Sequence, residues 1–293
     1  ALVAGGAVAS DPQEVALLAE PDPIRRAALE ALVHARTERT ASILLDQAEG
    51  ALGRELAAAL AALAAGDETV AANRLDELLR HARLGGRLVE PFRVVLVGAP
   101  NAGKSSLVNA LMGFQRSIVH AQPGTTRDLV TATTALEGWP VELIDTAGLR
   151  EADDPLEQAG IARAVDQSHG ADLVLLVIDR SRNDALPAFA NRAGWAELVV
   201  VHNKCDLPPG GRERDPSSAG LPCCLTSAAT GEGIERLLQM IAARLVPQPP
   251  LPGAAVPFTA TQVAHLQQAR QALRLGQLQQ AQEILASMLS AAG

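Results

Sequence analysis

The chain changes its hydrophobic rhythm twice. Through residues 1–90 apolar positions recur at helical spacing: Ala28, Leu32 and Ala35 share one face, and His34, Arg36 and Thr37 interleave. Residues 51–65 are almost all Ala, Leu and Glu, strong helix formers. Gly66 followed by Asp67 reads as a helix stop and a new N-cap, and a further helix is predicted through Leu75, Leu78 and Leu79 to Gly85-Gly86. No internal repeat stands out. Over residues 91–247 the pattern becomes short, near-continuous apolar runs: FRVVLVG, WPVELID, DLVLLVID, ELVVVHN and PCCLT. Helical stretches separate most of them, which predicts a mostly parallel sheet with helices on both faces. LVTATTAL, residues 129–136, alternates and lies just before PVELID, so it is expected as an antiparallel edge strand. PQPPLPGAAVP, 247–257, has the composition of a semi-rigid extended linker. Beyond it Val263, Leu266, Ala269, Leu273, Leu278, Ile284 and Leu285 mark an amphipathic helical hairpin around Gly276. The predicted organisation is an α/β domain, 91–247, inserted between two halves of an all-α domain, 1–90 and 248–293.

Composition narrows this picture only a little. Hydrophobic residues are 48% of the 293 and aromatics 2%, so the core is aliphatic. The net charge of −8, without a block of Lys and Arg, lacks the electrostatic footprint of a direct nucleic-acid binder. Cys205, Cys223 and Cys224 form neither a disulfide framework nor a zinc spacing, so reduced thiols and a cytoplasmic location are expected. No apolar run reaches the ~18 residues of a membrane span.

The chemistry starts where the first β run ends. GAPNAGKSS has the pattern G-x-x-x-x-G-K-[ST], with Gly98, Gly103, Lys104 and Ser105. Between a strand and a helix, such glycines let successive N–H groups wrap phosphate oxygens, and the helix adds its positive end. The phosphate-binding stretch is Asn101, Ala102, Gly103, Lys104, Ser105 and Ser106. Lys104 would neutralise the β- and γ-phosphates and Ser105 would offer a hydroxyl to Mg²⁺. DTAG follows the strand VELID: Asp145 can hold the Mg²⁺ through water, and the Gly148 amide can meet the γ-phosphate. In PGTTRD, Thr126, with Thr125 as the alternative, can reach Mg²⁺ and the γ-phosphate, which makes this segment a switch.

The base is chosen at the end of ELVVV. There HNKCD supplies Asn203, Lys204 and Asp206. A carboxylate at Asp206 accepts from both N1–H and N2–H₂ of guanine, whereas adenine lacks that donor pair. Lys204 can lie along the base plane, and a backbone N–H at Ser227 or Ala228 can meet guanine O6. GTP and GDP are therefore the expected ligands of a P-loop GTPase fold.

GAPNAGKSS, PGTTRD, DTAGLREADDPLEQAGIARA, NKCD and TSAATGEGI together resemble the translation-factor-related GTPases, and more closely the MnmE/TrmE family of tRNA-modification GTPases. The helical stretches ALVHARTERTASILL and HLQQARQAL are similar to segments flanking that family's G domain. After DTAG many GTPases place a water-orienting Gln; here Leu149 stands there. The resemblance implies that a Glu in the following segment, Glu157, takes over. It also implies a K⁺ ion held by Asn101 and by switch-loop carbonyls around His120 to Thr125, formed when two G domains meet as a homodimer. A partner enzyme and tRNA wobble uridine come with the same family. Two features depart from it: only about ninety helical residues precede the G domain, so the family's folate-binding N-terminal domain is expected to be missing, and no Cys follows Cys224. A ribosome-assembly or other regulatory GTPase, and a non-catalytic nucleotide-binding scaffold, therefore remain alternatives.

Overall fold

The computed structural model describes residues 20–114, 130–145, 170–182, 197–210 and 220–290. It divides into two compact units. Pro91–Gln248 forms one, and the chain before and after it, through Glu90 and from Pro249, forms the other.

The flanking unit begins with α1 (Pro23–Leu32). The Asp22 carboxylate accepts from the N–H groups of Ile24 and Arg25 at 2.8 and 3.1 Å, and proline occupies the first helical position. The helical face expected to run on to Ala35 stops at Leu32. Thr37 is extended (φ −137°, ψ 155°), and its hydroxyl accepts from the Thr40 N–H at 3.2 Å while Thr40 accepts from the Thr37 N–H. That reciprocal cap opens α2 (Glu38–Ala48) and splits what the sequence presents as one helical segment. α3 (Ala51–Ala64) and α4 (Glu68–Arg80) meet in the tight turn at Gly66. Asp67 sits at the N-cap of α4, as expected, but its side chain makes no capping bond; its N–H closes the turn on the Ala62 carbonyl instead. α4 also ends earlier than expected. The His81 N–H folds back to the Leu78 carbonyl, and the chain continues in a short helix, α5 (Ala82–Gly85), and a 3₁₀ turn, Gly86–Leu88.

The inserted unit is a six-stranded sheet of β1 (Phe92–Val97), β2 (Val130–Leu136), β3 (Trp139–Asp145), β4 (Leu173–Asp179), β5 (Leu198–Asn203) and β6 (Cys223–Leu225). The order is β2-β3-β1-β4-β5-β6, parallel except for the β2–β3 hairpin. β2 is thus the antiparallel edge strand the alternation predicts. β1, β3 and β4 are buried almost throughout, so both faces of the sheet are covered. Val95, Val97, Ile144, Val174, Leu176 and Val200 line one face. α6 (Lys104–Phe114) and α7 (Ile234–Leu245) pack on each other and on the sheet. The chain leaves β1 toward β3 on one side and returns to β4 on the other, so β1 is the topological switch point, where α/β sheets bind ligands at the carboxyl ends of their strands.

α8 (Ala260–Arg274) and α9 (Leu278–Leu289) complete the flanking unit. They repeat α3 and α4 at a constant offset of 210 residues, from Gly66 to Gly276. The turns share their backbone hydrogen bonds: Asp67 N–H to Ala62 and Gln277 N–H to Ala272 at 2.9 Å, Gly66 N–H to Leu63 and Gly276 N–H to Leu273 at 3.1 Å. The glycines have φ +84° and +71°. The buried positions match as well, Leu56 with Leu266, Ala59 with Ala269, Leu63 with Leu273, Ala71 with Ala281, and Leu75 with Leu285. α3 packs on α9 and α8 on α4, so the first helix of each hairpin meets the second helix of the other. The repeat invisible in the sequence is therefore a pseudo-twofold four-helix bundle. The ion pairs do not follow the symmetry: Arg270 makes a two-pronged pair with Asp76 at 2.7 and 2.9 Å, and its hydrogen bonds hold the Asp76 carboxyl below the usual range.

The proline-rich stretch is more than a spacer. Gln47 is fully buried; its amide donates to the carbonyls of Ile43 and Ala254 at 2.9 and 3.0 Å and accepts from the Val256 N–H at 3.1 Å. Asp46 accepts from the Gly253 N–H. Two side chains of α2, Asp46 and Gln47, thus partner backbone groups of the strap, in which Val256 and Phe258 are buried. Gln47→Leu keeps the volume but strands two buried backbone groups, so urea unfolding is expected to show a loss of about 2–4 kcal/mol. A change below about 0.5 kcal/mol, the scatter of ordinary surface substitutions, contradicts this account of the strap.

Candidate nucleotide site

The carboxyl ends of β1, β3, β4 and β5 carry the motif residues. β1 runs into Gly98, and Gly103 has φ +93°. A Cβ on Gly98 would lie 2.2 Å from the Val177 carbonyl oxygen, and one on Gly103 would lie 2.3 Å from Asn203 Nδ2. Both positions therefore need glycine, because the loop is pressed against β4 on one side and the end of β5 on the other. Asn101 is exposed and left-handed (φ +62°), at the crest of the loop. Ala102 is buried beneath it, while Ser105 and Ser106 are exposed on the first turn of α6.

Lys104 starts α6 and is 5% exposed. Its ammonium donates to the carbonyls of Gly98 and Ala99, both at 2.9 Å, so the charge is held inside the loop it belongs to. Ser105 Oγ donates to Asp145 Oδ2 at 2.5 Å. The hydroxyl from α6 and the carboxylate from β3 thus converge on one point. They form a small all-oxygen donor set of the kind Mg²⁺ takes, one carboxylate and one hydroxyl beside a phosphate loop. Asp145 is 1% exposed.

Asn203 is 1% exposed and faces entirely into protein. Its Nδ2 donates to the Ala102 carbonyl at 3.0 Å, and its Oδ1 accepts from Ala228 N–H at 3.1 Å and Thr226 Oγ1 at 3.3 Å. The sequence reading groups Asn203 with the ligand contacts; the structure makes it the tie between the phosphate loop and the 226–228 loop. Ser227 and Ala228 change in the same way. The Ser227 N–H donates to the Glu232 carbonyl at 2.9 Å, the Ala228 N–H goes to Asn203, and Ser227 Oγ accepts from Thr230 N–H. Both amides offered to guanine O6 are thus engaged within the protein. Asp206 is exposed just past the end of β5, and Lys204 is left-handed (φ +63°). Lys204 Nζ pairs with Asp179 at 2.6 Å, a residue the motif reading passes over because a lone Asp ending a strand carries no pattern. Thr125, Thr126, Gly148, Leu149, Glu157 and His120 lie outside the described residues. No helix among the described residues is long and apolar enough to cross a membrane.

The glycine loop, the Ser105–Asp145 oxygen pair and the end of β5 therefore lie along the carboxyl ends of the strands, and Asn203 ties the loop to the 226–228 segment. Comparison with known proteins agrees. Residues 93–204 match the family model described as a 50S ribosome-binding GTPase. The tRNA modification GTPase MnmE of Thermus thermophilus is 41% identical over 199 residues, 68% of this chain and 43% of that protein. MnmE of Chloroflexus aurantiacus is 41% identical over 225 residues, 73% of this chain and 47% of the relative, and MnmE of Dichelobacter nodosus is 45% identical over 178 residues, 58% and 38%. Over these stretches the chain is similar to the MnmE tRNA modification GTPases. It spans less than half the length of these MnmE relatives. The aligned stretch in the Chloroflexus case is longer than the 112-residue span 93–204, so the likeness extends beyond the family-model match into more of the chain.

Proposed function

We propose that this MnmE-like chain binds GTP and hydrolyses it to GDP and phosphate, in the service of tRNA wobble-uridine modification with a partner enzyme. The observation that supports this most is the Asn203 tie, which makes phosphate binding and base reading parts of one cradle. In this reading the loop amides from Asn101 to Ser106 and the α6 N-terminus surround the β-phosphate. Lys104 faces the β- and γ-phosphates from its perch on the Gly98 and Ala99 carbonyls. Ser105 and, through water, Asp145 hold Mg²⁺, with Thr126 or Thr125 joining from the switch segment. Bound there, the ion neutralises charge that develops on the phosphate oxygens. The Gly148 amide meets the γ-phosphate. Asp206 accepts guanine N1–H and N2–H₂, and Lys204 lies along the base.

Leu149 cannot hydrogen-bond to water, so Glu157 orients the attacking water for in-line displacement. Asn101 at the crest of the loop holds K⁺ when two G domains meet. GTP turnover in K⁺ is expected to exceed that in Na⁺ by roughly tenfold or more, the scale of one added transition-state charge contact. Glu157→Ala is expected to lower kcat by about 10²–10⁴-fold, the usual worth of a positioned acid or base, with GTP affinity nearly unchanged. Equal rates in the two salts would remove the cation from Asn101; unchanged turnover in the variant would remove the role of Glu157.

The description of the matching family model favours a second reading, a ribosome-associated regulatory GTPase. Deleting the gene for this chain separates the two: loss of wobble-uridine modification in total tRNA supports the first, and intact modification with altered ribosome profiles supports the second.

A further inference from the structure

We propose that Asp179 is a positioning residue for guanine binding, acting through Lys204. This rests on reading Asn203 to Asp206 as the base-recognition segment. Asp179 ends β4 and is the register partner of Asn203 at the end of β5, so the two strand ends stand side by side. Its side chain is 5% exposed, and Lys204 and Ser181 donate to it. Oδ2 accepts from Lys204 Nζ at 2.6 Å, and Oδ1 accepts from the N–H and Oγ of Ser181 at 3.0 and 2.6 Å. Burial pushes this carboxyl upward, but the hydrogen bonds from Lys204 and Ser181 outweigh it and leave it below the ordinary carboxylate range. Asp179 is therefore a fixed anion at neutral pH.

Lys204 is held at both ends of its side chain. Its backbone is left-handed, a conformation that a side-chain-bearing residue keeps only where its surroundings impose it. Those surroundings include the segment after Asp179. The Arg180 N–H donates to the Asn203 carbonyl at 2.9 Å, and the Gly210 N–H donates to the Arg180 carbonyl at 3.1 Å. A Cβ on Gly210 would lie 2.2 Å from the Ser181 carbonyl oxygen, so the two segments are in direct contact. With the backbone clasped and the ammonium fixed on Asp179, the four-carbon stem spans two set points. A lysine free in solvent would lose rotamer freedom when a purine settled on its stem; this one has already lost it. Asp179 also balances the Lys204 charge, leaving exposed Asp206 to meet the base without a competing ion pair.

The test is a double-mutant cycle on GDP binding, read with a fluorescent GDP, and tripolyphosphate competition as the base-free control. Asp179→Asn is expected to weaken GDP by about tenfold, the scale of one charge-assisted hydrogen bond, and to leave tripolyphosphate unchanged. In a Lys204→Ala background the same substitution is expected to change GDP affinity by less than about twofold. A full loss in that background, or an equal loss for tripolyphosphate, overturns the proposal and makes Asp179 a scaffold residue only. If Asp179→Asn does not fold, Ser181→Ala carries the test: a loss of about threefold, absent in the Lys204→Ala background, supports it, and no loss or an additive loss overturns it. Wild-type protein that binds ADP as well as GDP sinks the base-recognition reading itself, which a failed cycle in a guanine-selective protein does not.

Discussion

Lys104→Ala is expected to lower GTP affinity by roughly 10²- to 10³-fold, the cost of deleting one member of a buried charge contact. The lysine is 5% exposed and its ammonium already bridges the Gly98 and Ala99 carbonyls. A phosphate entering the loop meets a cation that needs no ordering, so most of the attraction appears as affinity. Alanine removes the charge and leaves the two carbonyl oxygens facing the incoming anion. Lys104→Arg is not expected to rescue binding, because a planar fork does not fit between two carbonyls that seat a compact ammonium. Isothermal titration in Mg²⁺ measures both; a loss below tenfold for the alanine variant would mean that the loop amides alone carry the phosphates.

Asp206→Asn is expected to reverse base choice. The carboxylate is exposed just past the end of β5, and in the proposed reading it accepts from two donors on one edge of guanine. An asparagine amide offers one acceptor and one donor. It leaves guanine with a donor facing a donor, but pairs with xanthine, whose edge carries one N–H and one carbonyl. GTP affinity is expected to fall by about a hundredfold or more, with xanthosine triphosphate gaining in the same measurement. GTP binding that survives the change would remove Asp206 from the base contact.

The parts of this molecule that were legible in its sequence are those whose chemistry is local. A loop that must approach other backbone needs glycine, so Gly98 and Gly103 announce themselves, and a two-face-buried strand reads as an apolar run. Contacts that depend on a distant partner leave no such trace. Asn203 looks like a ligand contact until Ala102 and Ala228 are found on its two ends. Asp179 looks like a strand terminus until Lys204 is found on it. Gln47 is one glutamine in a helix until the strap from 253 to 256 lies across it. Thr37 breaks a helix without Gly or Pro because its hydroxyl wins a neighbouring amide, which composition does not weigh. The repeat hid for a different reason: its matching residues are Leu, Ala and Gly, and against an Ala- and Leu-rich background eight such coincidences carry little information.

The hairpin pair also sets a schedule for the nascent chain. The two hairpins pack on each other, α3 on α9 and α4 on α8, and the second emerges 210 residues after the first. At ordinary synthesis speed the first hairpin waits about 10–40 s without its counterpart. All of the inserted unit leaves the ribosome within that interval, so the first hairpin reaches its final packing only after the whole inserted unit has been synthesised.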